Sequence, residues 1–350
     1  MPTAVAAVLI ALATPASAAP AKPAPEIGAP ATLAGRIDGV LDKLRARPLR
    51  ADEVTPWVIL HAVVAFHEGV QVQGSAAAPV DAIEHLLTGA KHRGLSIYVD
   101  AGGVPVVQPR GPGEPHFLVR DHVDQYLHLF AEAGVALDRP LVAEGGRRFA
   151  VRDLLDAAKL GFREDQELAW TLVALSTYLP PGHRWRNGRG VEYAVEDVLR
   201  LAIQRDPRSE TEGGPHHLYG VAYALRWLRS HRAGAGQPAL VQGDAEAYLR
   251  KYVDLARRYQ QADGALSGSV FEQGSKPVSP RHLVNTTGHG LEWLAMTLTP
   301  DELGQPWVRR AAGRLTLELE EHPRTAFSEG GLYHAAHALV LYRATLPAAR

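Results

Sequence analysis

The sequence predicts an all-α fold, an (α/α)6 toroid of six outer–inner helical hairpins, and three observations predict it. Amphipathic segments alternate with segments that are apolar nearly all round, and the alternation occurs six times. Two of the amphipathic segments share a pattern, Phe149-Ala150-Val151-Arg152-Asp153-Leu154-Leu155 and Tyr193-Ala194-Val195-Glu196-Asp197-Val198-Leu199, 44 residues apart, which is a repeat signal. The inner segments are too apolar to face water along the concave side of an open solenoid, so closure is favoured.

The chain opens with an apolar run, Ala4 to Ala13, followed by Ala16-Ser17-Ala18, a small-residue cleavage pattern. Residues 1–18 therefore read as a signal peptide, although Met1-Pro2-Thr3 lacks the usual positive charge. The run is too short to span a bilayer, so no membrane insertion is expected and the protein is expected to be exported, to the periplasm or beyond. Residues 19–30 form a Pro/Ala-rich linker, and 31–350 the helical domain. The outer helices are expected at 32–46, 80–89, 149–160, 193–204, 243–260 and 302–321, and the inner ones at 54–68, 117–133, 166–179, 215–229, 286–298 and 332–346. The contrast is plain between two of them. In 243–260, Tyr248, Leu249, Tyr252, Val253, Ala256 and Tyr259 recur at helical spacing opposite a charged face, whereas 167–179 carries no charge after Glu167. Alternating apolar residues around Gly102-Gly103 predict a small β-hairpin at 95–109.

Composition removes several classes of function. The absence of cysteine excludes disulfides, thiolate metal ligands and a cysteine nucleophile, so an exported chain must be held by its core, for which 46% hydrophobic residues suffice. With 37 basic and 38 acidic residues the net charge is -1, which argues against nucleic-acid binding. A monomer acting on a small-molecule or polysaccharide ligand is the expectation that remains.

The turn Gln260-Gln261-Ala262-Asp263-Gly264 resembles the Q-x-x-D-G turn of the terpenoid cyclase and prenyltransferase toroids, which also occurs in toroidal polysaccharide enzymes. The chain further resembles exported bacterial toroid proteins of unknown activity with T-P-W, T-G-H-x-L-E-W and H-A-x-H-A-L segments. Here these are Thr55-Pro56-Trp57, Thr287 to Trp293 and His334 to Leu339. The resemblance implies the toroid fold but not terpenoid chemistry, because the D-x-D-D and D-D-x-x-D acidic motifs and the zinc-binding cysteine are missing.

The candidate site gathers where the inner helices begin. Thr211-Glu212-Gly213-Gly214-Pro215-His216-His217 echoes Ser328-Glu329-Gly330-Gly331-Leu332-Tyr333-His334, placing His217 and His334 at equivalent offsets. His289, His61 and His122 lie early on other inner segments; burial lowers a histidine's pKa and keeps it neutral, suited to act as base or ligand. Asp124, Glu167, Trp170 and Trp293 extend the polar and aromatic lining expected to bind substrate. Helix N-termini converging on one opening attract anions, with Arg281, Arg208, Arg120 and Arg324 as cations nearby.

An acidic extracellular polysaccharide is the substrate class that matches. The likeness to toroidal polysaccharide lyases implies a division of labour: Asn285 or Arg281 neutralising a uronate, His289 or His217 taking the proton, and Tyr219 or Tyr333 protonating the leaving oxygen. Hydrolysis by Glu212 and Glu329 as a carboxylate pair is the competing mechanism. A non-catalytic glycan- or partner-binding module and an isoprenoid-processing toroid stay open as alternatives. No cofactor is assigned; His217, His289 and His334, with Glu212, are the combination suited to zinc, but they lack the H-E-x-x-H arrangement.

Overall fold

The computed structural model describes residues 30–346 apart from 47, 55, 68, 75–77, 89–94, 100–104, 110–122, 211–212 and 232–236. The expected signal peptide and nearly all of the linker lie outside the described residues, as do His122, Glu212 and Arg120. The chain is mostly helical. The helices are α1 (Pro30–Arg45), α2 (Pro56–Phe66), α3 (Ala82–Leu87), α4 (Gln125–Glu132), α5 (Val151–Gly161), α6 (Ala169–Tyr178), α7 (Val195–Ile203), α8 (Pro215–Ser230), α9 (Gln237–Arg258), α10 (Pro280–Thr297), α11 (Pro300–Leu303), α12 (Pro306–Glu321) and α13 (Glu329–Arg343). Among the described residues, no helix is long and apolar enough to cross a membrane.

Among the described residues, four small sheets accompany them. Strands β1 (Leu49–Arg50), β2 (Gln71–Gln73) and β3 (Val80–Asp81) form one, with β1–β2 parallel and β2–β3 antiparallel. The others are antiparallel pairs: β4 (Leu95–Val99) with β5 (Pro105–Pro109), β6 (Pro140–Val142) with β7 (Arg148–Ala150), and β8 (Arg184–Arg186) with β9 (Glu192–Ala194). The repeat at 149 and 193 now has a physical reading, since its aromatic-Ala dipeptide ends a strand and its Val begins a helix. Asp153 and Asp197 then accept from the backbone N–H of Ala150 and Ala194, at 2.7 and 2.9 Å, satisfying a donor at each junction.

Helix boundaries depart from the expected ones where caps intervene. Helix α10 starts six residues early, because Pro280 suits the first helical position and Ser279 Oγ accepts from His282 N at 3.1 Å. The segment expected at 80–89 is cut to α3, since Val80 and Asp81 belong to a strand and Asp81 caps the helix from outside. The stretch at 302–321 divides into α11 and α12 at Gly304-Gln305-Pro306.

The apolar helices pack on one another in order: α2 on α4, α4 on α6, α6 on α8, α8 on α10, α10 on α13, and α13 on α2. Their buried faces contribute to a hydrophobic core centred on residues such as Ile59, Phe130, Leu172, Leu225, Leu291 and Leu339. Amphipathic helices lie against them, α1 on α13, α7 on α8, α9 on α8 and α12 on α10. Arg343 clasps Asp38 and Arg36 pairs with Glu320, so α1 is held by both α13 and α12.

The Gln260–Gly264 turn is a clamp between helices. Gln260 Nε2 donates to the carbonyls of Gly264 and Trp307, at 2.9 and 2.8 Å, and Asp263 pairs with Arg314, joining the end of α9 to α12. Gly264 sits at φ +98°, and a Cβ there would lie 2.5 Å from the Arg310 carbonyl oxygen. Only glycine meets both conditions.

Candidate functional site

A cavity of about 420 Å³ lies where α2, α8, α10 and α13 begin. Its lining comes from Trp57 and His61 of α2, His216 of α8, Ser279, Arg281, His282, Asn285 and His289 at and after the start of α10, and Ser328, Gly330, Gly331 and His334 around the start of α13. The two glycines make room rather than turns. A Cβ on Gly330 would lie 1.9 Å from the Trp57 indole, and one on Gly331 would lie 2.8 Å from both Asn285 Oδ1 and Ser328 Oγ.

Four buried histidines make the floor. The His289 and His334 rings are 4.0 Å apart between centroids, His216 lies 4.9 and 4.8 Å from them, and His61 meets His334 edge-on at 4.8 Å. One ligand atom from each of His216, His289 and His334 falls within 4.8 Å of the other two. The hydrogen bonds fix the tautomers. His61 Nδ1 donates to the Trp57 carbonyl at 2.6 Å and His289 Nδ1 to the Asn285 carbonyl at 2.7 Å. His334 Nδ1 bonds the Glu292 carboxylate at 2.9 Å. Because each of these partners accepts, Nδ1 is the donor in each ring, and the lone pair of its uncharged form lies on Nε2. His282 is different, for its Nδ1 accepts from Val278 N and its Nε2 donates to Gly268 O, which commits the ring to its loop.

Behind the floor lies a second polar layer. Glu292, 2% exposed, accepts from His334 and also from His337 Nδ1 at 2.8 Å. Burial opposes charge on His337, but the hydrogen bond and the charges of Glu292 and Glu132 outweigh it and raise its pKa. Glu132 accepts from His128 Nε2 at 2.7 Å and from the Tyr219 hydroxyl. Burial pushes Glu132 upward, yet the neighbouring histidines and these hydrogen bonds leave its pKa lowered. Trp170 separates the layers, packed 4.3 Å from His128 and 4.8 Å from His216.

Five of the residues expected at the site line the cavity: His61, His289, His334, Arg281 and Asn285. His122 and Glu212 lie outside the described residues, and the other expected residues stand off this cavity, His217 among them. Its Nε2 donates to the Ala202 carbonyl of α7 at 3.0 Å, and its ring faces Tyr248 of α9, so His216 occupies the position expected of it. Tyr219 is turned to Glu132, and Tyr333 packs on Phe66 with Arg324 donating to its hydroxyl. Glu329 pairs with Arg324 at 2.5 Å and Trp293 packs against Phe271; neither is among the lining residues. Asp124 accepts from Thr171 at 2.5 Å, with burial and the nearby charge of Glu167 raising its pKa to about 6; it too lies off the cavity, as does half-buried Glu167. Arg208 is paired with Asp206.

The residues the sequence reading missed are His216, Trp57, and the Glu292–His337 pair. Pro215 at the first turn of α8 is the signal that sets His216 in its frame. A glutamate in the otherwise apolar second half of α10 is the signal for a buried partner.

Comparison with protein-family models, with curated proteins and with solved structures gives no match.

Proposed function

We propose that the chain is an exported (α/α)6 toroid whose cavity binds an acidic saccharide and cleaves it by β-elimination. The succession of contacts from α2 through α4, α6, α8 and α10 to α13 and back to α2 supports closure of six inner helices. The observation that carries the functional reading is the composition of the cavity wall: one exposed cation, Arg281, an amide, Asn285, an indole, Trp57, and a floor of buried imidazoles. Arginine and asparagine neutralise a uronate, an indole packs on a sugar face, and a neutral imidazole takes a proton. At about 420 Å³ the cavity is at the small end of ligand sites, which run roughly 300–1,000 Å³, and suits one or two sugar rings.

Elimination is favoured over hydrolysis because two-carboxylate hydrolysis needs acids on either side of the glycosidic bond. Among the described lining residues there is no Asp or Glu. His61 is the base in this reading, since it lines the cavity beside Trp57 and its Nδ1–H is held by the Trp57 carbonyl. Its Nε2 takes the C5 proton, the C4–O bond breaks as the C4=C5 double bond forms, and the imidazolium returns the proton to the leaving oxygen. Tyr219 and Tyr333 take no part, because neither lines the cavity.

The test is incubation of the purified protein with a panel of uronate-bearing polysaccharides. Growth of unsaturated-sugar absorbance is expected, falling about 100-fold or more in His61→Ala, with a raised KM in Arg281→Ala. New reducing ends without absorbance would replace elimination with hydrolysis, binding without turnover would make the protein a binding module, and no binding would end the reading.

A further inference from the structure

We propose that His216, His289 and His334 bind a divalent transition-metal ion of the zinc class. Three histidines from three different helices are brought together, each at most 4% exposed, with a donor atom from each within 4.8 Å of the others. A tetrahedral zinc with bonds of about 2.0–2.1 Å holds its nitrogens about 3.4 Å apart, so small rotations of the three rings close the set.

The surroundings have the form of a metal site rather than a core. The bond from His334 Nδ1 to Glu292 is the carboxylate–histidine arrangement that orients a ligand and raises its basicity, and the Asn285 carbonyl does the same for His289. In both rings Nε2 is the nitrogen turned to the role of ligand. The buried carboxylate also balances part of the incoming charge. Three nitrogen donors with no thiolate suit zinc, cobalt, nickel or copper rather than calcium or magnesium. The cavity bounded by Arg281 and Asn285 leaves the fourth position to water or an anion, the pattern of a catalytic rather than a structural site.

This inference rests on the proposed function only for what the ion does. Facing a uronate, it would neutralise the carboxylate and favour loss of the neighbouring proton, leaving His61 as the base. Binding of the ion itself needs no substrate.

The experiment is metal analysis of the full chain, followed by removal of metal with a chelator and titration with Co²⁺. One ion per chain and an intense visible cobalt spectrum displaced by Zn²⁺ are expected. Affinity should fall at least tenfold in His289→Gln and in His334→Gln, and hold in His217→Gln, with far-ultraviolet circular dichroism confirming that each is folded. Substoichiometric metal in metal-replete wild-type protein, no cobalt spectrum, or equal affinity in folded His289→Gln would overturn the site. The two proposals separate cleanly: a bound ion with inert polysaccharides sinks the elimination reading alone, and elimination by a protein that takes up no metal sinks the ion alone.

Discussion

The starts of α8 and α13 carry the same residue types at the same spacing, Gly-Gly with a histidine three residues on, and the two differ in what the glycines do. Before α8, Gly213 and Gly214 have φ of +71° and +105° and stand outside the helix, which begins at Pro215. In α13 the helix begins at Glu329, so Gly330 and Gly331 are already within its first turn, pressed on Trp57 and Asn285. His217 is thus the third residue of its helix and His334 the sixth. Relative to the place of His334 in its helix, His217 stands three residues short and His216 four, about 300° and about 400° of turn, so His216 comes within about 40° of that direction and His217 lies about 60° to its other side. His334 reaches the cavity and a buried carboxylate; His217 reaches a carbonyl of the neighbouring α7. A motif match therefore locates a helix start, while the conformation of its glycines decides which side chain faces inward.

The strongest way to break this comparison is to remove what each histidine leans on. Glu292→Ala takes the acceptor from both His334 and His337 and should destabilise the protein by about 3–5 kcal/mol. His217→Ala loses one hydrogen bond and part of one ring's packing, and should cost about 1–3 kcal/mol. Urea titrations read both. Equal losses would mean that the carboxylate anchors α13 no more firmly than a carbonyl anchors α8.

Next come the glycines. Gly214→Ala meets a left-handed backbone and the Pro207 carbonyl oxygen at 2.5 Å, and should lose about 2–4 kcal/mol. Gly330→Ala meets the movable Trp57 ring first and should lose about 1–3 kcal/mol. The sharper measurement is rescue: Trp57→Leu should restore much of the stability of Gly330→Ala, whereas no trimming of side chains relieves Gly214→Ala. Failure of that rescue would place strain at Gly330 in the backbone and erase the distinction.

These contrasts also mark how far the sequence could be read. The alternation of amphipathic and apolar helices is legible because burial on one face or on all faces leaves its period in the chain, and α9 against α6 shows it best. Local caps are legible too, in Ser279-Pro280 and in the repeated strand-to-helix junctions at Asp153 and Asp197. The site is legible only as a set of residue types near helix starts. Which histidine enters it depends on glycine φ values at 213 and 214. The Glu292–His337 bond depends on how closely α10 and α13 approach, at Gly288, where a Cβ would come within 2.9 Å of Ala335. Neither is a periodic property, so neither leaves a pattern.

The smallest expected effect separates the two histidine environments by pH. Burial lowers the pKa of His217 to about 4, against about 6.5 when unfolded. Between those values the unfolded chain binds a proton that the folded chain refuses, so stability falls as pH drops through this window, and below about 4 the group has no further effect. From pH 7 to pH 5 the loss amounts to about 2 kcal/mol. His337 has the opposite sign: with its pKa raised by Glu292, its contribution is complete below about 6.5 and is lost as pH rises through the folded value. Acid therefore loosens the start of α8 through one histidine while it tightens α13 through the other. Replacing His217 by Gln should flatten the acid limb of the stability curve between pH 7 and pH 5 by about that 2 kcal/mol, measured by urea titration at each pH. An unchanged slope would mean that His217 takes up its proton in the folded state, and that its surroundings are as accommodating to charge as those of His337.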